Sequence, residues 1–198
     1  MRNSGVTHDA AVTFETLPGL PGKGPRAKPF SSTQKAWLQA GYVVQFTPKS
    51  GNSWVGNFQP GPGGTTRIVL HPDGAKVVVV TAGQMYVVDP DARTASVVPG
   101  VVVNLHVIVD LPLLVFEDQG IQFQALGREG LRWRTRRISW NGFRNVIIEG
   151  STLTAEAGNV IGDTWETFHV DLRSGKTIGG TYHLGDAALF ELIGEGGS

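Results

Sequence analysis

A short pattern recurs along this chain: an apolar stretch, a tight polar turn, and a second stretch that often ends in aspartate. The pattern occurs in Val77–Asp89, in Leu113–Leu126 and in Trp165–Lys176. Apolar runs of four to eight residues that are separated by turn residues are typical of β-hairpins. The pattern therefore predicts an all-β protein of antiparallel hairpins, arranged as a propeller or as a sandwich or barrel.

Turn signals rich in Gly, Pro, Asn and Asp separate the predicted strands from residue 41 onward. Their spacing of roughly 8–12 residues favours these all-β arrangements over parallel βαβ units. The predicted strands are Tyr42–Thr47, Ser53–Phe58, Thr65–Leu70, Lys76–Thr81, Met85–Asp89, Ala95–Val98, Val101–Val109, Leu113–Phe116, Ile121–Leu126, Leu131–Ile138, Phe143–Glu149, Trp165–Val170 and Thr177–Tyr182.

The N-terminal region differs from the rest of the chain. Leu17–Pro25 is rich in proline, which lacks a backbone donor, and in glycine, which resists ordering. We therefore predict an irregular, extended arm over residues 1–30 and a single β domain over residues 31–198. The arm is either a disordered tail or a segment that packs on a protein partner or a second copy of the chain. One short helix is predicted over Ser31–Ala40, because Ser31 and Gln34 have capping-box spacing.

Composition excludes several classes of function. The chain has no cysteine, so disulfides, thiolate metal sites and a cysteine nucleophile are excluded. The formal net charge is zero, so bulk attraction to nucleic acid or to an anionic membrane is not predicted. No apolar run reaches the roughly 18 residues that cross a membrane. The expectation is a cytoplasmic protein with no metal and no other cofactor.

The densest chemical feature is the segment Arg128–Arg144, here called the arginine segment. It contains six arginines and one glutamate, with two tryptophans and a phenylalanine among them. As a strand, Leu131–Ile138 would place one face of Arg132, Arg134 and Arg136 towards solvent and an opposite, buried face of Leu131, Trp133 and Thr135 towards the core. An arginine row on a sheet face can bind phosphates or another anionic partner, and nearby aromatic rings could stack on bases. The candidate partner-binding residues are Arg132, Arg134, Arg136, Arg137, Trp140 and Phe143.

The same arginines have a purely structural interpretation. The remainder of the chain, residues 145–198, carries eight acidic side chains against two basic ones. Cross-strand pairing with Glu149, Glu156, Glu166 or Asp171 would therefore use the arginines internally, and each exposed pair would contribute less than about 1 kcal/mol. The sequence leaves both interpretations open.

A catalytic alternative depends on acids and histidines near the C-terminus. Glu166, His169 and Asp171 lie on one predicted strand, and His183 follows on the next segment. Paired strands could bring them together in a small hydrolase or lyase that acts on a sugar-like or anionic substrate. Two histidines and a carboxylate also suit a metal, but no third ligand is fixed and no metal is predicted.

Three of the hairpin segments resemble known repeats. Gly83–Asp89, Asp118–Leu126 and Val170–Lys176 resemble blade hairpins of β-propellers of the quinoprotein and WD types. The resemblance implies a propeller-like arrangement, in which residues 41–198 would hold at most about four blades of roughly 40–50 residues each. Trp133–Phe143 together with Trp165–Gly180 is also similar to bacterial β proteins of similar size, and that likeness implies no activity. The leading hypothesis is therefore a non-enzymatic binding or interaction module that uses the arginine segment.

Overall fold

The computed structural model describes residues 12–24, 26–33, 39–160 and 162–182. Within these residues the chain forms sixteen β-strands and no helix. The chain divides into two compact units, Met1–Val101 and Val102–Ser198. None of the described residues forms a helix long and apolar enough to cross a membrane.

The first sheet of the N-terminal unit, sheet A, contains residues that the sequence predicted to be irregular. Its strands are β1 (Thr13–Leu17), β2 (Lys28–Phe30), β3 (Tyr42–Thr47) and β4 (Trp54–Phe58), in the order β1-β3-β4-β2. Strand β2 runs parallel to β4, and the other pairs are antiparallel. The prediction of an irregular arm is therefore wrong for β1 and β2. Phe14 and Phe30 pack on the apolar core of this unit, which favours order in both strands.

The helix predicted over Ser31–Ala40 is not supported. Residues 31–33 and 39–40 are not helical, and residues 34–38 lie outside the described residues. The Ser31 hydroxyl accepts a hydrogen bond from the backbone N–H of Thr33 at 3.3 Å. A bond of this kind also forms in a serine turn, so it does not require a helix.

Sheet B completes the N-terminal unit as a simple meander. Its strands are β5 (Arg67–Leu70), β6 (Val77–Thr81), β7 (Gln84–Asp89) and β8 (Thr94–Val98), each paired with the next. Aromatic side chains from sheet A meet valines and Tyr86 from sheet B in one buried cluster. Burial raises the pKa of Tyr86 to about 12, and its hydroxyl donates to the carbonyl of Gln59 at 2.9 Å.

The C-terminal unit contains two further meanders. Sheet C consists of β9 (Val102–Ile108), β10 (Leu113–Asp118), β11 (Gln122–Gly127) and β12 (Gly130–Arg134). Sheet D consists of β13 (Phe143–Glu149), β14 (Thr152–Gly158), β15 (Trp165–Asp171) and β16 (Thr177–Gly179). Side chains of both sheets form the buried core of this unit.

The predicted fold class is confirmed in its coarser form. The described chain is all-β, and three of its four sheets are antiparallel meanders of four strands. Sheets of this kind are consistent with propeller-like blades. The assignment of residues 31–198 to a single domain stays a prediction.

Candidate binding surface on the arginine segment

Trp133 anchors the arginine segment to the core of the C-terminal unit. The side chain is 8% exposed, and its indole Nε1 donates to the carbonyl of Leu172 at 2.8 Å. Gly175 lies against the ring, so close that an added Cβ would be 2.8 Å from a ring carbon. Gly175 also has a φ of +74°, so glycine suits this position for two separate reasons. The turn between β15 and β16 therefore holds β12 in place.

The predicted alternation along β12 is confirmed for three residues. Trp133 is buried, whereas Arg132 and Arg134 are exposed. Leu131, which was predicted to share the face of Trp133, is 54% exposed and pairs with Leu126, while Trp133 pairs with Ala125. The register shift between these pairs leaves Arg132 as an extra residue in β12, which moves Leu131 to the other face.

The side chain of Arg134 forms a hydrogen bond within the C-terminal unit. Its guanidinium Nη2 donates to the side-chain oxygen of Gln124 at 2.9 Å, and the amide of Gln124 donates to the carboxylate of Asp118. Asp118 also accepts from the side chain of Gln122 at 2.8 Å and from the backbone N–H of Gly120 at 2.7 Å. Arg134 therefore ends a chain of polar contacts that leads to a buried carboxylate.

Arg137 is also held by its neighbours. Its guanidinium carbon lies 4.9 Å from the ring centroids of both Trp140 and Tyr182, and these rings are 4.7 Å apart. Its Nε donates to the carbonyl of Ser139 at 2.9 Å. The carbonyl of Ile138 accepts from the backbone N–H of Tyr182, which keeps that ring in place. Cation–π contact and a backbone acceptor give Arg137 a structural role.

Arg144, which lies outside the predicted row of Arg132, Arg134 and Arg136, forms a cross-strand ion pair with Glu156, one of the four acids that the structural interpretation named. Its Nε lies 2.8 Å from the carboxylate of Glu156, directly opposite on β14. The guanidinium carbon also lies 4.2 Å from the ring centroid of Trp165. Hydrogen bonds from Arg144 and Asn145 lower the pKa of Glu156, and they outweigh the opposing effect of desolvation. This arginine is therefore compensated on the outer face of sheet D.

Phe143 belongs to the core rather than to a binding surface. Its ring stacks on Phe123 with a centroid distance of 4.8 Å, and Phe168 lies 5.1 Å away. The prediction that Phe143 contacts a partner is not supported by this position. The side chain joins sheet C to sheet D.

The remaining arginines are available to a ligand. Within the part of the chain that the structure describes, the guanidinium groups of Arg132 and Arg136 make no hydrogen bond or ion pair, and both residues are exposed. Arg132 lines an open groove of about 520 Å³ together with Pro112 and residues 127–131. Arg128 lines the same groove, and Leu131 adds an apolar side chain to it. Arg128 is exposed as well and makes no hydrogen bond or ion pair among the described residues, so three free cations and a groove lie on or beside one edge strand.

The three described residues of the catalytic alternative, Glu166, His169 and Asp171, do not all share one face of sheet D. The pairing of β14 with β15 has no register shift, so strand alternation places Glu166 and His169 on opposite faces. The Oδ1 atom of Asp171 accepts from the backbone N–H groups of Arg173 and Ser174, and bonds to Ser174 and Arg173 lower its pKa despite some desolvation. His183 lies outside the described residues. No group of three metal-ligating side chains occurs among the residues described.

One buried acid was not singled out from the sequence. Glu117 lies at the end of β10, is 6% exposed, and accepts a hydrogen bond from the side chain of Asn104 at 3.1 Å. Burial raises its pKa, the bond from Asn104 opposes that rise, and the charge of Asp118 adds to it. The only sequence signal for this burial is the position of Glu117 directly after four apolar residues.

The sequence and the structure were compared with those of known proteins. No protein-family model matches the sequence, and no curated protein matches it. A solved structure of the N-terminal domain of Nup159 is similar at 14% sequence identity with a TM-score of 0.43. The match covers 87% of this chain and 50% of that one, so the chain spans half the length of that domain. This likeness carries no conclusion about function.

Proposed function

We propose that the protein is a non-enzymatic binding module for an anionic partner, and that the arginine segment is its binding surface. The observation that supports this function best is the pair of exposed and uncompensated guanidinium groups, Arg132 and Arg136. Their neighbours Arg134, Arg137 and Arg144 all have internal acceptors or rings. The internally bonded arginines build the surface, and the free ones are left to bind.

Burial of the neighbouring residues makes this surface rigid. Trp133 is fixed by the carbonyl of Leu172 and by Gly175, so Arg132 projects from a strand that cannot easily shift. A preformed site loses less conformational entropy when a partner binds. Arg128 and Arg132 face an open groove, which gives a ligand access without any opening of the fold.

The test is a titration of the isotope-labelled chain with poly-L-glutamate and, separately, with inorganic tripolyphosphate. Binding at low salt should shift the NMR signals of Arg132, Arg136 and their neighbours, and added salt should weaken it, because exposed charges are screened within about 10 Å at 0.1 M. The double variant Arg132→Glu with Arg136→Glu should lose the response while its melting temperature stays close to that of the wild type.

The matched control is the double variant Lys23→Glu with Arg26→Glu, which changes the net charge equally at two exposed basic residues outside the arginine segment. It should retain the response. A response that spreads over the whole surface, or that both double variants lose to the same degree, contradicts the proposed function.

A further inference from the structure

Strand β12 is an edge of sheet C. In the described part of the chain the sheet order is β12-β11-β10-β9, so β12 has a neighbour on one side only. An edge strand presents backbone N–H and C=O groups that another extended chain can pair with. Extended peptides bind sheet edges in this way, with affinity from the backbone and specificity from alternate side chains.

The side chains along this edge select for acidic residues. Arg132 is the extra residue of the bulge in β12, and Arg136 lies two residues beyond the strand. The chain continues beside β11 after β12 ends, because the backbone N–H of Thr135 donates to Phe123 at 2.9 Å. Arg132 and Arg136 are therefore roughly 13 Å apart along an extended chain. Carboxylates four residues apart on an extended partner match that spacing.

The arrangement fits a peptide better than a compact anion. The free guanidinium groups follow the strand instead of converging on one point, so a small phosphate could not contact both. Leu131 is 54% exposed beside Arg132 and offers apolar contact that a phosphate does not use.

We propose that β12 accepts an acidic, extended segment of a partner protein as a fifth strand of sheet C, with carboxylates placed on Arg132 and Arg136. This inference rests on the proposed function and adds the form of the ligand. The alternative role of these arginines is protective, because charged side chains on an edge strand also prevent unwanted pairing. Binding experiments separate the two roles.

The probe is a fluorescein-labelled peptide of alternating glutamate and threonine, measured by fluorescence anisotropy with the full chain. Two matched peptides carry N-methyl groups on one or the other set of alternate residues, which keeps the charge and blocks backbone pairing on one side. The unmodified peptide should bind, and one of the two N-methylated peptides should bind about tenfold more weakly, because it loses the backbone hydrogen bonds to the edge.

On the protein side, Arg132→Glu with Arg136→Glu should weaken binding of the unmodified peptide by about tenfold or more, since repulsion replaces attraction. The control variant Lys23→Glu with Arg26→Glu should stay within about twofold of the wild type, because it makes the same change of charge at exposed side chains outside the arginine segment. A peptide of alternating lysine and threonine should not bind.

Three results would overturn the inference. Equal affinity for all three acidic peptides would show that charge alone attracts them. Binding of tripolyphosphate without binding of the peptide would contradict the inference and leave the proposed function intact. Absence of binding for both probes would contradict the inference and the proposed function together, and would favour the protective role.

Discussion

Sheets C and D are both antiparallel meanders of four strands in the same unit, but their inner strands are buried differently. All six residues of β10 in sheet C are buried, so both faces of that strand are covered. In β15 of sheet D only Phe168 and Val170 are buried, and the residues between and beside them are exposed. Pairing alone therefore does not determine how much of a strand is hidden. The burial of a strand depends on what packs on each of its two faces, and one face of sheet D is open to solvent.

The carboxylates of the two sheets also differ in burial and in pKa. Glu117 at the end of β10 is buried, and burial raises its pKa. Glu156 on the outer face of β14 bonds to Arg144 and Asn145, which lower its pKa. One acid resists ionisation because it has lost water, and the other favours ionisation because it has gained donors. The two sheets therefore shift the pKa of the same type of side chain in opposite directions.

The largest expected effect tests whether the side chains on both faces of β10 contribute to the stability of the fold. Leu113 and Leu114 point to opposite faces and are 2% and 1% exposed. Leu113→Ala and Leu114→Ala should each lower the free energy of unfolding by about 2–5 kcal/mol, because each leaves a cavity in a packed region. Urea unfolding followed by tryptophan fluorescence measures both changes.

Sheet D supplies the matched pair for that experiment. Leu153 on the inner face of β14 is fully buried, whereas Ile147 on β13 is 55% exposed. Leu153→Ala should cost about 2–5 kcal/mol and Ile147→Ala less than about 0.5 kcal/mol. If Leu114→Ala were as mild as Ile147→Ala, the distinction between a strand buried on two faces and a sheet with one open face would fail.

A smaller effect is expected where the two sheets touch at Trp133. Gly175→Ala should lower the free energy of unfolding by about 2 kcal/mol or more, because the new methyl group meets the indole ring and the φ of +74° strains alanine. Gly142 has a φ of +87° with nothing within 4 Å of an added Cβ. Gly142→Ala should therefore show the backbone cost alone, about 1–2 kcal/mol.

Thermal unfolding of the two glycine variants measures the difference between them. That difference isolates the contact between the β15–β16 turn and the indole. Equal losses in the two variants would mean that the turn does not hold β12 through Trp133.

The way the side chains of a strand are buried also explains which strands were predictable from the sequence. Strand β10 reads as a continuous apolar run, and Tyr42–Thr47 and Phe143–Glu149 carry enough β-branched and aromatic residues to be found with their observed bounds. Strand β14 was missed, because its inward residues are mainly alanines and its outward residues are Thr and Glu. A strand whose apolar side chains are small has little signal of its own and is recognised only from its neighbours.

The candidate site was predictable to a lesser extent. Alternation identified Trp133 as the buried residue and Arg132 as an exposed one. Charge balance named Glu156 as one of four possible acidic partners, but it did not single out Arg144. The contacts of Arg134 with Gln124 and of Arg137 with Tyr182 join residues that are 10 and 45 positions apart, so they depend on register and on the path of the chain. No local pattern encodes such contacts. The sequence identified the cluster of arginines, but it did not show which of them would lack an internal hydrogen bond or ion pair.

The smallest expected effect is a change with pH in the stability that Glu117 and Glu156 contribute. The ordinary pKa of glutamate, 4.5, is raised for Glu117 in the folded protein. Between that value and the raised pKa the folded protein binds more protons than the unfolded chain, so this residue lowers stability as pH rises. Glu117→Gln removes that loss and should raise the melting temperature more at pH 8 than at pH 4.

Glu156 should show the opposite sign. Its pKa is lowered in the folded protein, so its contribution is present above the ordinary value of 4.5 and disappears as pH falls through the lowered pKa. Glu156→Gln should therefore lower the melting temperature slightly at pH 7 and leave it unchanged near the acid limit of folding. The effect is small because the carboxylate is exposed and its ion pair is screened by water. Melting curves of both variants across pH provide the comparison. If the two differences from wild type changed with pH in the same direction, the contrast between a buried acid in sheet C and a paired acid on the open face of sheet D would be wrong.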